Sequence, residues 1–129
     1  MEYLNLRNRE LIRLPDETST LVNLRYLNLM KNRFDMFPAQ LCRFSKLVDL
    51  NIRDNDLTAL HEQLGELSAM RQLDITKNKI IELPESLGKL RKLENFHASY
   101  NQLEQLPSST GKWKYVRYIE LQHNKLLLS

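Results

Sequence analysis

The chain has 129 residues, enough for one domain with a real core, and carries a formal net charge of +3 with 42% hydrophobic and 27% charged residues. That balance excludes a disordered chain, and no apolar run approaches the roughly 18 residues that a membrane span requires. Cys42 is the only cysteine, which excludes an intrachain disulfide. Met1-Glu2-Tyr3 has none of the character of a signal peptide, and none of the eleven asparagines opens an N-x-Ser/Thr sequon. These signs point to an intracellular, cytoplasmic setting in which thiols stay reduced.

Leucine dominates, with 26 residues against 3 glycines and 4 prolines, and its placement is periodic. Asn32, Asn55, Asn78, Asn101 and Asn124 follow one another at intervals of 23 residues. Pro15, Pro38, Pro84 and Pro107 fall on the same grid, with His61 in the vacant slot. The chain therefore divides into units 1–23, 24–46, 47–69, 70–92 and 93–115, with a partial sixth at 116–129. One domain spans 1–129 and no linker interrupts it. Such a period marks a stacked-repeat protein.

Each unit opens on an apolar/polar alternation, which predicts a short strand with one buried face. It turns at the asparagine and returns with apolar residues three apart. That spacing predicts a short helical or 3-10 leg, with proline at its first turn. In the first unit the strand centres on Leu4 and Leu6, Arg9 takes the asparagine place, and Thr18 replaces a leucine of the return leg. The second runs Y-L-N-L-M at 26–30 and carries Cys42 where later units have glycine, which reads as an inert thiol. The third has Leu50 and Ile52, with His61 reading as a tolerated surface change in place of proline. The fourth, on Leu73 and Ile75, keeps the whole pattern including Gly88. The fifth, on Phe96 and Ala98, has Thr110, Gly111 and Trp113 in its return leg, the tryptophan reading as core. The sixth, on Ile119 and Leu121, ends at Leu126-Leu127-Leu128-Ser129.

Neither leg can bury its apolar face alone, so the units stack and their strands form one parallel sheet, roughly 4.8 Å apart. The asparagine ladder of Asn32, Asn55, Asn78, Asn101 and Asn124 stacks with them. Buried amides there bond the backbone groups that the turn leaves unpaired.

The pattern L-x-x-L-P-x-x-L-(G)-x-L-x-x-L, with Gly65, Gly88 and Gly111 in the bracketed place, resembles the 23-residue intracellular subtype of the leucine-rich repeat. The resemblance covers the whole chain. It implies an α/β fold, a right-handed solenoid with a parallel β-sheet on the concave face and short helical or 3-10 return legs. That subtype occurs in Ras-pathway scaffolds and cell-polarity proteins, so the resemblance implies a non-enzymatic protein-interaction module.

Function then lies on the open face of the sheet, where Tyr3, Arg7, Tyr26, Asn28, Met30, Asn51, Arg53, Asp74, His97, Tyr100, Tyr118 and Glu120 project. Aromatic, arginine and amide groups on a rigid surface suit a protein partner. For any one of them the plain reading is a solvated surface residue. No phosphate loop, nucleophile elbow, paired cysteines or HExxH occurs. Asp74, His97 and Glu120 share a column, as a metal or proton-transfer site would require, but on an open surface they read as a charge ladder. No cofactor or metal is expected.

The pI of about 9.1 invites a nucleic-acid reading. Against it, the open-face columns mix Arg7, Arg25, Lys31, Arg53, Arg71, Lys77 and Arg117 with Glu2, Asp49, Asp54, Asp74, Glu94 and Glu120, which is no basic stripe. The positive excess sits on the return legs at Lys89, Arg91, Lys92, Lys112 and Lys114, a back surface that would suit an anionic partner instead. The same pattern also fits a regulatory fragment of a larger signalling protein or a bacterial effector. The first and last strands lie at open edges, which predicts end-to-end self-association.

Overall fold

Prolines set the local geometry of the return legs. Pro15, Pro38, Pro84 and Pro107 have φ between −58° and −73°, as their ring imposes. Each precedes five residues of 3-10 helix: Asp16–Thr20, Ala39–Arg43, Glu85–Lys89 and Ser108–Lys112, with Glu62–Glu66 following His61. The bonds run three residues back, as from the Leu41 N–H to the Pro38 carbonyl at 3.0 Å. At three residues per turn, Leu64, Leu67 and Met70 fall on one side, and all are buried. The structure is a computed structural model and describes residues 1–127. Leu128 and Ser129, the tail of the leucine run, lie outside the described residues.

The departures from the repeat have local reasons. Thr18 and Thr110 stand where leucine is usual, and their hydroxyls donate to the Pro15 and Pro107 carbonyls at 2.7 and 2.8 Å. His61 is more than a tolerated surface change. Its Nδ1 accepts from the Gln63 N–H at 3.0 Å and caps the leg, which none of the prolines can do. Trp113 is half-buried, edge-on to Phe96 with centroids 5.5 Å apart, and its Nε1–H donates to the Leu87 carbonyl at 3.1 Å. Burial pushes the Cys42 thiol up to about 11, with Glu66 adding to the shift.

Strands β1 (Tyr3–Asn5), β2 (Tyr26–Asn28), β3 (Asp49–Asn51), β4 (Gln72–Asp74), β5 (Asn95–His97) and β6 (Tyr118–Glu120) form one parallel sheet in chain order. The register keeps the repeat in step: Leu4, Leu27, Leu50, Leu73, Phe96 and Ile119 pair in series. Regular strand covers three residues, shorter than the five-residue alternation in the sequence. Single rungs extend it, from the Leu6 N–H to the Asn28 carbonyl at 2.8 Å and from the Asn8 N–H to the Met30 carbonyl at 2.9 Å. The chain then leaves the pleat because Asn8, Lys31, Asp54, Lys77, Tyr100 and His123 all have φ of 56° to 60°. None of these is glycine, so each costs about 1–2 kcal/mol that the stack must offset.

The asparagine ladder is one source of that offset. The Asn55 amide nitrogen donates to the Leu29 and Ile52 carbonyls, each at 3.1 Å, and its Oδ1 accepts from the Phe34 N–H at 3.1 Å. Asn32, Asn78, Asn101 and Asn124 repeat the arrangement. Each asparagine thus satisfies the turn of the preceding unit as well as its own. Between sheet and legs lies one apolar core containing Leu27, Phe34, Leu50, Leu73, Ile80, Phe96 and their repeats. The result is an α/β leucine-rich solenoid with one face of its sheet uncovered.

Candidate functional site

Position within the strand decides which side chains reach the open face. The middle residue of β2 to β5 enters the core, and those on either side point out. Tyr3, Tyr26 and Tyr118 are 61%, 42% and 54% exposed. Tyr3 and Tyr26 lie 5.9 Å apart, centroid to centroid. With Asn28, Asp49 and Asn51 they line a hollow of about 210 Å³.

The third residue of β1 to β4 has a task that the repeat pattern does not disclose. Side-chain oxygens of Asn5, Asn28, Asn51 and Asp74 accept from the N–H two residues on, at Arg7, Met30, Arg53 and Thr76, over 2.9–3.1 Å. An acceptor at that position replaces water on an N–H that the adjoining strands leave free. Three of the expected contact residues, Asn28, Asn51 and Asp74, therefore spend a side-chain oxygen on holding the backbone.

The column changes character in the fifth unit. His97 pairs through Nδ1 with Glu120 Oε1 on β6, and its ring lies 5.9 Å from Tyr118. The Ser99 hydroxyl donates to Gln122 Oε1 at 2.7 Å. Asp74 is committed to the Thr76 N–H, so Asp74, His97 and Glu120 do not converge. Among the described residues no group of three His, Cys, Asp or Glu is placed to hold a metal ion. Asp49, in β3, is partly buried. That burial, followed by the charge of Asp74, raises its carboxyl above the usual range, and His97 partly opposes the shift.

A second hollow, of about 260 Å³, is lined by Arg53, Thr76, Ser99, Tyr100, Glu120, Gln122 and His123. Tyr100 stacks on His123 at 4.2 Å, and Lys77 Nζ lies 5.8 Å from the Tyr100 ring centre. The repeat puts Thr76 and Ser99 in the same outward column as Arg7, Met30 and Arg53, but both are buried. A short side chain there stays below the surface, whereas Arg7 and Gln122 leave it. Arg7 stands at the β1 end, outside both hollows, and Met30 is half-buried. Asp49, Gln122 and His123 join the face although they are not among the contact residues expected from the sequence. Their place in the outward columns is the signal that could have found them.

A family model described as "Leucine rich repeat" matches residues 45–103. These are leucine-rich repeats. No curated protein matches the chain. Among solved structures, a leucine-rich-repeat protein of Leptospira interrogans superposes with a TM-score of 0.94 at 32% identity, over 98% of this chain and 32% of that one. The plant peptide hormone receptor RGFR1, solved in complex with RGF2, superposes at 0.78 with 28% identity, over 88% of this chain and 19% of that one. The leucine-rich-repeat ectodomain of the receptor kinase SOBIR1 from Arabidopsis thaliana gives 0.80 at 25% identity, over 96% and 71%. The leucine-rich-repeat chain thus spans about a third of the leptospiral protein and less of RGFR1. Among its described residues no helix is long and apolar enough to cross a membrane.

Proposed function

We propose that this leucine-rich-repeat chain is a non-enzymatic protein-interaction module, an intracellular scaffold or adaptor that takes its partner on the open face of the sheet. The observation that carries the reading is the uncovered face itself. A rigid parallel sheet presents Tyr3, Tyr26, Tyr100 and Arg53 around two hollows, with Tyr118 exposed on the same sheet, and such residues dominate binding energy at interfaces. RGFR1, of the same fold, is solved with RGF2 bound. A lone, buried cysteine supports the intracellular setting.

A pull-down with the wild type beside Tyr26→Ala/Arg53→Ala tests the face. The double change should weaken partner binding by more than about 1.4 kcal/mol, tenfold, and leave the melting temperature nearly unchanged. Equal weakening by Lys89→Ala/Lys112→Ala, with no effect of the open-face pair, would move the site to the return legs. End-to-end association is a second proposal. It rests on Ile119, a core position that is 44% exposed on the β6 edge strand. Light scattering over a dilution series tests it, and one monomeric species from micromolar to millimolar would sink it.

A further inference from the structure

A cleft of about 540 Å³ lies where return legs hand over to strands in the last three units. Four cations line it, Arg71, Lys92, Lys114 and Arg117, with one carboxylate, Glu94, and the exposed ring of Tyr115. Arg71, Glu94 and Arg117 immediately precede β4, β5 and β6. Backbone rungs lock them together: the Glu94 N–H donates to the Arg71 carbonyl at 2.8 Å, and the Arg117 N–H to the Glu94 carbonyl at 2.7 Å. The platform is therefore rigid. Of the basic residues that the sequence placed on the return legs, only Lys92 and Lys114 reach it, and the arginines come from the strand starts.

The charges there are poorly matched. Glu94 Oε2 lies 3.7 Å from Arg71 Nε. Among the described residues, Lys92, Lys114 and Arg117 have no carboxylate in salt-bridge reach, whereas Arg25, at the place in its unit that Arg117 takes in the sixth, meets Glu2 at 2.7 Å. Like charges gathered around one cleft repel, and a bound anion removes that cost. The volume is several times what one oxyanion fills and lies in the ordinary range for ligand sites. Strands of adjacent units stand roughly 4.8 Å apart, which sets Arg71 and Arg117 roughly 10 Å apart across Glu94, while alternate side chains of an extended peptide stand roughly 7 Å apart. Such a peptide meets several cations at once and can lay an apolar or aromatic side chain on Tyr115.

The geometry points to a docking site for an acidic, extended peptide segment of a partner protein, at the strand-start edge of the sheet and apart from the two hollows of its open face. Arginine can pair with its carboxylates in bidentate fashion, and the two lysines add point charges.

Fluorescence anisotropy with a labelled Glu-Glu-Tyr-Glu-Glu peptide tests it, with a Gln-Gln-Tyr-Gln-Gln peptide and a single-stranded oligonucleotide as comparisons. The acidic peptide should bind at least tenfold tighter than the glutamine version, and rising salt should weaken it. Lys114→Glu/Arg117→Glu should reduce binding at least tenfold. Lys114→Gln/Arg117→Gln, folded by circular dichroism, should reduce it in the same direction. Lys89→Glu/Lys112→Glu should change it less than twofold, and Tyr26→Ala/Arg53→Ala not at all, which separates this site from the sheet face. Three results overturn the proposal: no binding of the acidic peptide, equal loss from the return-leg pair, or tighter binding of the oligonucleotide through the same cations.

Discussion

Leu50 in β3 and Ile119 in β6 hold the same place in the repeat, yet Leu50 is fully buried and Ile119 is 44% exposed. Gly88 and Gly111 make the same contrast on the return legs. A Cβ on Gly88 would stand 2.3 Å from the Ser109 carbonyl oxygen, and one on Gly111 would meet nothing within 4 Å. The units are alike in pattern, so the difference comes from the neighbours. In a stacked repeat a side chain is buried by the unit on each side of it, and among the described residues the sixth unit has one such neighbour. Identical residues should therefore carry unequal weight in the middle and at the ends.

The largest effect should come from the core column. Leu73→Ala opens a cavity between two packed units and should cost about 3 kcal/mol in urea unfolding. Ile119→Ala, removing a side chain already half in water, should cost about 1 kcal/mol or less. Equal losses at the two sites would mean that the stack unfolds as one block with no weak end. Next is the asparagine ladder. Asn55→Ala strands the Phe34 N–H and the Leu29 and Ile52 carbonyls in the interior and should cost about 2–3 kcal/mol. Water can reach the groups around half-buried Asn124, so Asn124→Ala should cost about 1 kcal/mol.

The glycines sharpen the comparison at smaller scale. Gly88→Ala forces the fourth and fifth return legs apart and should destabilise by about 2 kcal/mol. At Gly111 the same change meets open space and restricts the unfolded chain, so stability should hold or rise by about 0.5 kcal/mol. A shared loss at both positions would show that the close approach of the legs is not what glycine serves here.

The fold was legible because its signal repeats. A leucine or asparagine every 23 residues cannot be read as a lone helix or strand, and the register of the sheet follows from the grid. Whether the return legs were α or 3-10 was not legible, since apolar residues three apart suit both. The candidate face was half legible. Columns showed which residues point outward, but not that Asn28, Asn51 and Asp74 hold an N–H two residues on. Nor did they show that His97 turns to Glu120 instead. The basic cleft was hidden for another reason: it crosses the seam between units, so Lys92 and Glu94 fall in different repeats.

The smallest effect concerns Asp49, where the middle of the stack reaches a polar side chain. Burial and then Asp74 raise its carboxyl in the folded state. A group with a raised folded pKa contributes stability that is complete below the ordinary carboxylate pKa and is lost as pH rises through the folded value. The ionised form is thus the unwelcome one at neutral pH. Asp49→Asn, which cannot ionise, should gain stability at pH 7 by less than about 1 kcal/mol, the scale of a partly screened charge. The gain should vanish near pH 3, where the wild-type carboxyl is protonated in both states. Melting curves of the two proteins from pH 3 to pH 7 should therefore diverge as pH rises. Divergence in the opposite direction would show that Asp49 is stabilised as an anion, by His97 or Asn51, and that the middle of the face is wetter than its burial implies.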